Sequence, residues 1–346
     1  MVRVGIIGCG KIAQVRHFPE YAANSNVKII GCYDGNPKRT EEVAGQYNIK
    51  AYDSYEELLS DKEIDAVSIC VANNAHAEIS IAALNNGKHV LCEKPMATTL
   101  EDCENMVATA DKSNKYLMIG QNQRLAKAHM KAKELISSGT IGKVLSFKTT
   151  FGHSGPQTWS VDPGKNVWFF DKNVAVMGVM ADLGVHKTDL LQYLVGSEIV
   201  ETTAKLETIS TRDAAGNLIG VDDNAICIYK MSNGAIGTMS VSWSYAQEDN
   251  STIIYGSEGI IHIYDDPQYS LVIVNNDGDR IFYELDHIQT NDNQTASGII
   301  DSFVDCIENN HEPEISGRNV LSAMRAVFAS IQSSKEGRTI IVNSKC

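Results

Sequence analysis

Hydrophobic residues follow two different patterns along the chain, and the change between them comes near residue 120. In the first part, short and continuous apolar runs lie at 2–7, 27–33, 65–71, 88–92 and 116–119. A continuous apolar run of this length is typical of a strand that is buried on both faces. Segments with helical spacing separate the runs, at 11–23, 36–47, 55–59, 75–86 and 100–114. Strands that alternate with helices in this way predict a parallel, doubly wound sheet.

The second part of the chain predicts a different architecture. Helices are expected at 126–138 and 178–194, with a half-exposed strand at 144–151 and a long polar loop at 152–175. From about 199 to 285, short alternating strands are separated by turns rich in Gly, Asn and Asp, which favours an antiparallel sheet. Two helices, about Gln294–Glu308 and Gly317–Glu336, follow. We therefore predict an α/β protein of two domains, 1–121 with the doubly wound sheet and 122–346 with an α+β fold and a large open, mostly antiparallel sheet.

The first predicted strand ends in a glycine-rich turn, Gly8-Cys9-Gly10-Lys11-Ile12-Ala13, and the second ends at Asp34. The spacing G-x-G-x-x-A between a strand and a helix is that of a dinucleotide-binding βαβ unit. A glycine turn in another α/β fold is the alternative, but every flanking element is present here. The Asp34 carboxylate can accept hydrogen bonds from ribose hydroxyls and would repel a 2′-phosphate, which favours NAD over NADP. Arg39 weakens this preference, because an arginine nearby can accommodate that phosphate.

Composition and charge narrow the classes of function. The chain has 346 residues, 43% of them hydrophobic, and its 30 basic and 43 acidic residues give a net charge of −13. This balance argues against a nucleic-acid or anionic-membrane partner. No apolar run reaches the roughly 18 residues of a membrane span, and the N-terminus enters a strand without a signal-peptide pattern, so we expect a cytoplasmic protein. None of the eight cysteines is spaced C-x-x-C, so neither a zinc site nor a redox pair is indicated.

A first candidate for chemistry is Glu93-Lys94-Pro95, which follows the strand at 88–92. Ligands of a doubly wound sheet bind at the carboxyl ends of its strands. A lysine beside a positively charged nicotinamide in a closed crevice can have a lowered pKa, or it can stabilise an alkoxide. The alternative is an exposed loop lysine, and position alone does not decide between these interpretations of Lys94.

A second candidate is Asp182-Leu183-Gly184-Val185-His186, followed by Asp189. In a regular helix the positions i, i+4 and i+7 share one face, so the sequence predicts a histidine flanked by carboxylates, which suits acid–base chemistry. A hydrogen-bonded histidine on a core helix remains open as an alternative. An Asp–His metal site is another, but no third histidine or cysteine lies nearby, and we predict no metal.

A third set of polar residues lies at strand ends and in the long loop. Asn73 and His76 follow the strand at 65–71, and Asn122 and Arg124 follow the strand at 116–119. Polar residues in these positions either line a pocket or only cap a helix. The 152–175 loop mixes hydrogen-bonding groups with flat aromatic rings, as a sugar site requires. The candidate substrate residues are Arg124, His153, Trp159 and Trp168, and the candidate cofactor residues are Gly8, Gly10, Lys11, Ile12, Asp34, Arg39, Asn73, His76, Glu93 and Asn122.

Together these motifs resemble the Gfo/Idh/MocA family (glucose–fructose oxidoreductase, inositol dehydrogenase and MocA) across essentially the whole chain. The matching segments are the glycine turn, Asp34, Asn73-Asn74-Ala75-His76-Ala77-Glu78, the run from Gly87 to Pro95, and the run from Asp182 to Asp189. The resemblance implies a Rossmann domain, a second domain with an open sheet, NAD(P) as cofactor, and hydride chemistry on a sugar, polyol or cyclitol.

The resemblance also implies roles for single residues, since the family's lysine, aspartate and histidine fall on Lys94, Asp182 and His186. Two positions depart from the family pattern. Val71-Ala72 stands where Thr-Pro is usual, and the glycine run before the aspartate helix is reduced to Gly178. Both departures leave the shape of the substrate pocket open.

These residues give a mechanistic hypothesis. His186 would take the hydroxyl proton of the substrate while hydride leaves the same carbon for NAD, Lys94 would hydrogen-bond that oxygen, and Asp182 would orient the substrate or the imidazole. Two other functions remain open: an NAD-dependent glycosidase that oxidises, eliminates and re-reduces, and a non-catalytic NAD- or sugar-sensing protein. The open sheet, whose outer face alternates apolar and hydroxyl residues, also predicts a homodimer or homotetramer.

Overall fold

The computed structural model of the protein describes residues 1–288 and 296–342. Within this part of the chain, the N-terminal strands form a six-stranded parallel sheet in the order β3-β2-β1-β4-β5-β6. They are β1 (Val2–Ile7), β2 (Val27–Tyr33), β3 (Lys50–Ala51), β4 (Ala66–Ile69), β5 (His89–Cys92) and β6 (Leu117–Ile119). This is the doubly wound order, with its switch point between β1 and β4, so the predicted fold of the first half is confirmed.

Helices connect these strands where their spacing predicts them. They are α1 (Phe18–Ala23), which continues a π-helical turn at Ala13–His17, α2 (Pro37–Tyr47), α3 (Tyr55–Ser60), α4 (His76–Asn85) and α5 (Leu100–Ser113). Side chains cap the free N–H groups at several helix starts: Asn36 accepts from the Lys38 N–H at 3.2 Å, and Thr99 from the Asp102 N–H at 3.1 Å. The caps explain why these helices begin at the predicted residues.

A second, nine-stranded sheet forms from the C-terminal part of the described chain, in the order β14-β13-β12-β11-β7-β10-β9-β8-β15. Its strands are β7 (Val144–Gly152), β8 (Ile199–Glu207), β9 (Asn224–Met231), β10 (Ile236–Ser242), β11 (Thr252–Gly256), β12 (Gly259–Ile263), β13 (Leu271–Asn275), β14 (Arg280–Tyr283) and β15 (Ile340–Ile341). All pairs are antiparallel except β7–β10. The prediction of a large, mostly antiparallel sheet is confirmed.

The remaining helices are α6 (Lys127–Ser137), α7 (Val185–Val195), α8 (Ile299–Asn309) and α9 (Gly317–Glu336), and a second π-helical turn, Met180–Gly184, leads into α7. The two-residue strands β3 and β15 and the parallel pairing of β7 with β10 were not predicted. The helix predicted from Gln294 begins at Ile299, and Gln294 itself lies outside the described residues.

The two sheets share one hydrophobic core. Helix α9 contacts α5 beside the first sheet and both α7 and β8 in the second part. The segment before α9 also pairs with the first sheet, because the N–H of Ile119 donates to the Ile315 carbonyl at 3.0 Å. The domain boundary at 121/122 stays a prediction. Within the described ranges, no helix combines the length and apolar character needed to cross a membrane.

Candidate functional site

A cavity of about 380 Å³ opens at the carboxyl ends of β1, β2, β4 and β5, between the first sheet and the 152–175 loop. Its volume lies within the range of small-molecule sites. All candidate cofactor residues and the three candidate catalytic residues line this cavity, together with His153, Trp159 and Trp168. The fold thus gathers side chains from both halves of the chain around one space.

The glycine turn forms one end of the cavity. Gly8 has a φ of +94°, and a Cβ at this position would lie 2.5 Å from the carbonyl of Cys70, so only glycine fits without strain. At Gly10, a Cβ would meet nothing within 4 Å, and the backbone is open to an approaching pyrophosphate. The helical residues that follow present the N-terminal N–H groups that bind phosphates. These features fit a dinucleotide.

Asp34 lies at the tip of β2, beside the glycine turn. Its Oδ2 accepts from the Cys9 N–H at 2.8 Å, and its Oδ1 accepts from the Asn36 N–H at 2.8 Å. The Nη1 of Arg39 lies 3.5 Å from Asp34 Oδ1, while its Nη2 donates to Asp162 Oδ2 at 2.7 Å. Because Arg39 is shared between two carboxylates, a 2′-phosphate would meet negative charge here, which favours NAD over NADP.

Lys94 follows β5 and reaches across the cavity to Asp182. The Nζ of Lys94 donates to Asp182 Oδ1 at 2.8 Å and to the Asp182 carbonyl at 3.0 Å. The other carboxylate oxygen, Oδ2, accepts from the indole Nε1 of Trp243 at 2.9 Å. Both oxygens of Asp182 are therefore occupied by donors, and the carboxylate holds the lysine rather than the imidazole of His186. Trp243 was not identified from the sequence, because it comes 61 residues after its partner.

The charge of this pair is fixed by its surroundings. Burial disfavours the ionised form of Asp182, but the positive charge of Lys94 and the hydrogen bonds outweigh burial and lower the pKa of the carboxyl. Asp182 is therefore ionised near neutral pH, and the buried carboxylate forms an ion pair with the half-buried Lys94 at the wall of the cavity.

His186 begins the second turn of the segment that carries Asp182, and its side chain lines the same cavity. Its Nδ1 is buried and has no hydrogen-bond partner among the described residues. Burial and the nearby charge of Lys94 bring the pKa of His186 well below 6.5, its ordinary value. A neutral imidazole can accept a proton, which is the property of a general base.

Glu93 contacts the backbone of Lys94 and two basic side chains of the 13–17 segment. One of its carboxylate oxygens, Oε1, lies 3.0 Å from His17 Nε2 and 3.3 Å from Arg16 Nη1. The other, Oε2, accepts from the Lys94 N–H at 3.2 Å, which fixes the backbone that carries the lysine. Burial opposes ionisation, but His17 and Arg16 together lower the pKa of Glu93. Neither Arg16 nor His17 was identified from the sequence, since their partner Glu93 lies more than 70 residues away.

The segments after β4 are also held in place by polar contacts. The Nδ1 of His76 lies 2.7 Å from the Pro95 carbonyl, and its Nε2 lies 3.1 Å from the Val71 carbonyl. Asn73 donates from Nδ2 to the Ala175 carbonyl at 3.0 Å, which links the first sheet to the end of the long loop. His76 and Asn73 thus shape the cavity wall through backbone contacts, although both were proposed as cofactor contacts.

Aromatic rings from the long loop also line the cavity. The ring centroids of Trp168 and Phe169 lie 3.8 Å apart and the rings are stacked, while Trp159 meets Phe169 edge-on at 5.3 Å. The ring of His153 lies 6.2 Å from that of Trp159. The Nε1 of Trp159 is buried and has no partner among the described residues. Phe169 was not singled out in the sequence.

Arg124 corrects two sequence-based expectations. It does not line the cavity, because its guanidinium is buried in a bidentate pair with the carboxylate of Asp189, with Nε donating at 2.6 Å. This pair engages the guanidinium of Arg124, which was expected to contact substrate, and the carboxylate of Asp189, which was expected beside His186. Within residues 1–288 and 296–342, no cluster of three or more His, Cys, Asp or Glu side chains could hold a metal ion.

Two family models match the chain. Residues 2–121 match the model described as an oxidoreductase family with an NAD-binding Rossmann fold, and residues 129–262 match the GFO/IDH/MocA C-terminal domain.

Individual relatives agree with these matches. The chain is 32% identical over 291 residues to levoglucosan dehydrogenase of Pseudarthrobacter phenanthrenivorans, covering 75% of this chain and 73% of that protein. It is 25% identical over 350 residues to myo-inositol 2-dehydrogenase of Thermotoga maritima, covering 98% of each. A solved structure of levoglucosan dehydrogenase with NADH and L-sorbose is 25% identical, with a TM-score of 0.87 and coverage of 99% of both chains.

Proposed function

This chain belongs to the Gfo/Idh/MocA family of NAD-binding oxidoreductases, and we propose that it acts through Lys94, Asp182 and His186 on a secondary hydroxyl or ketone of a sugar, glycoside or cyclitol. The family resemblance drawn from the motifs is confirmed. The protein is an NAD-dependent oxidoreductase that acts on CH–OH groups. The dehydrogenases of levoglucosan and myo-inositol among its relatives support the substrate class.

One observation carries the assignment of the residues. A lysine held by a carboxylate and a neutral histidine line one cavity, and they come from different halves of the chain. Bound NAD supplies the hydride acceptor, and the open backbone at Gly10 and the carboxylate of Asp34 are the features that would hold it.

Each of the three side chains has a separate role in the proposed reaction. In the oxidation direction, the imidazole of His186 takes the proton of the substrate hydroxyl, for which its neutral form is required. The ammonium of Lys94 donates a hydrogen bond to the same oxygen and stabilises the negative charge that develops on it. Asp182 holds Lys94 at 2.8 Å, and Trp243 fixes the orientation of that carboxylate.

A cofactor-reduction screen tests this proposal. The purified protein is incubated with NAD or NADP and a panel of inositols, aldoses and glycosides, and NAD(P)H formation is measured. We expect turnover with NAD on at least one member, and a loss of roughly 10²- to 10⁴-fold in the His186→Gln variant. The control is His311→Gln, because His311 is an exposed histidine outside the cavity.

The same screen separates the proposal from its rivals. Sugar binding without NAD(P)H formation would indicate a sensor, and release of an aglycone without net NAD(P)H would indicate an NAD-dependent glycosidase. Full turnover in His186→Gln would refute the residue assignment while leaving the oxidoreductase activity intact.

We also propose that the protein forms a homodimer or homotetramer through the outer face of the second sheet. Ile226, Ile228 and Ile236 lie side by side on β9 and β10, with exposed fractions of 57%, 53% and 54%. Neighbouring exposed isoleucines on a broad sheet favour burial against another subunit. Light scattering is expected to give two or four chains for the wild type and a smaller assembly for Ile228→Lys. Ile209→Lys, at an equally exposed position outside the strands, should not change the mass.

The cytoplasm is the proposed location. The seven cysteines within the described residues are buried and free, as expected of thiols in a reducing compartment. The eighth, Cys346, lies outside the described residues.

A further inference from the structure

The substrate end of the cavity is defined by Lys94, His153, Trp159, Trp168, Asp182 and His186. Of these six side chains, all within the described part of the chain, one is a lysine and one is a carboxylate, and they neutralise each other at 2.8 Å. The rest are indoles and imidazoles. The charge that a bound substrate meets here is therefore close to zero.

The two imidazoles add no positive charge. Burial lowers the pKa of His153, and the same cause acts more strongly on His186. Both histidines are therefore neutral at pH 7, and each presents its substrate with a neutral donor or acceptor.

Three other cationic side chains of the described residues line the cavity, and two of them, Arg16 and Arg39, are paired with carboxylates. Arg16 contacts Glu93 at 3.3 Å, and Arg39 contacts Asp34 and Asp162. Lys11 belongs to the glycine turn, at the cofactor end. None of these side chains is among the six that define the substrate end.

A phosphate or carboxylate group at the substrate end would lose its water without gaining a cationic partner, and it would approach the negative charge of Asp182. Proteins bind buried phosphates through arginine, lysine or several N–H groups, because the cost of burying an unpaired anion is large. Hydroxyl groups meet no such cost, since they carry no charge and can pair with the ammonium of Lys94 or the neutral imidazoles that line the same space.

We propose that this cavity selects uncharged sugars or glycosides and excludes sugar phosphates and sugar acids. The inference rests on the proposed function and narrows its substrate class. Selection acts by charge, because the aromatic rings offer stacking surface to either kind of sugar.

Matched pairs of probes test the proposal: D-glucose against D-glucose 6-phosphate and D-glucuronate, and myo-inositol against myo-inositol 1-phosphate. We expect kcat/KM with NAD to be at least about 100-fold higher for the neutral member of any pair that reacts. Calorimetric titration of the NADH complex with the same probes supplies a readout that does not require turnover. Neutral sugars that bind without reacting, where the charged ones do not bind, would support the selection and refute the hydride-transfer proposal.

Two variants of Trp168 separate charge from size. Trp168→Arg places a guanidinium at the edge of the substrate end, stacked on Phe169, and should raise the kcat/KM ratio of glucose 6-phosphate to glucose at least about 10-fold. Trp168→Leu makes room without adding charge and should leave the ratio unchanged. Equal gains in both variants would show that exclusion is steric, and a wild-type preference for the charged probes, or binding of neither kind, would overturn the proposal.

Discussion

Replacement of Lys94 by methionine should change the pH dependence of the reaction in a direction that the structure determines. The substitution keeps the length of the side chain and removes its charge. Asp182 Oδ1 then loses the ammonium that lies 2.8 Å away, and its negative charge is no longer compensated. His186 in turn loses a positive neighbour and gains an unpaired negative one.

Both changes raise the pKa of His186. In the wild type, burial lowers this pKa first, the charge of Lys94 lowers it further, and Asp182 opposes both. A single nearby charge shifts a pKa by about 1–3 units, and each unit corresponds to about 1.4 kcal/mol. We therefore expect an increase of about 1–3 units in Lys94→Met, along with a loss of about 10²- to 10⁴-fold in rate from the missing hydrogen-bond donor.

The assay is the pH profile of kcat/KM in the oxidation direction. His186 acts as a base only in its neutral form, so activity falls as the pH drops below its pKa. The wild type should hold its activity down to below pH 6.5, whereas the acid limb of Lys94→Met should begin about 1–3 units above that of the wild type.

Two further variants make the sign of the shift decisive. Asp182→Asn removes the charge that raises the pKa of His186, so its acid limb should move to lower pH. Lys172→Met, an exposed lysine on the same loop side of the molecule, should leave the profile unchanged. If the limbs of Lys94→Met and Asp182→Asn moved in the same direction, the electrostatic argument would be wrong.

Three other predictions follow from single contacts. Asp34→Ser should raise the kcat/KM ratio of NADP to NAD at least about 10-fold, because the carboxylate that repels a 2′-phosphate is gone; the ratio is measured by NAD(P)H formation. Trp243→Phe should lower kcat/KM about 10- to 100-fold without weakening NADH binding, since Asp182 loses one hydrogen bond worth about 1.5–3 kcal/mol. Arg124→Met should lower the free energy of unfolding, measured by urea titration, by about 3–5 kcal/mol with little change in KM, because Asp189 is left as an unpaired buried charge. Adding Asp189→Leu to the same chain should restore most of the lost stability.

The first half of the fold could be predicted because its signals are local. Buried parallel strands are continuous apolar runs, and the glycine turn with its flanking elements lies within 34 residues. The strands β3 and β15 have two residues each, too few to show any periodicity. The parallel pairing of β7 with β10 depends on how distant segments meet, which no local pattern records.

The sequence indicated individual residues of the candidate site but not the hydrogen bonds and ion pairs between them. Strand ends and the D-x-G-x-H motif indicated Lys94 and His186, but the sequence offered no sign that Trp243 would hold Asp182. Arg124 was placed in the substrate site because it follows a strand end, and its pairing with Asp189, 65 residues away, was not foreseen.

Asp182 and Asp189 were expected on one helical face, but they form separate ion pairs, with Lys94 and with Arg124. Seven residues of helix advance about 10 Å along the axis, so positions i and i+7 share a face without sharing a site. The segment from Met180 to Gly184 is also π-helical, which shifts the phase of everything after it. A face drawn for a regular α-helix therefore does not extend from Asp182 to Asp189.

π-Helical turns also connect the two halves of the candidate site. One lies at Ala13–His17, where it places Arg16 and His17 against Glu93, and the other lies at Met180–Gly184, where it carries Asp182. Such turns are rare and occur often at functional sites, because the extra residue moves a side chain out of the regular helical phase. Lys94 lies between the two, fixed through its own N–H by Glu93 and through its Nζ by Asp182. The position of the ammonium over the cavity is thus set by two irregular turns that neither propensity nor periodicity indicates.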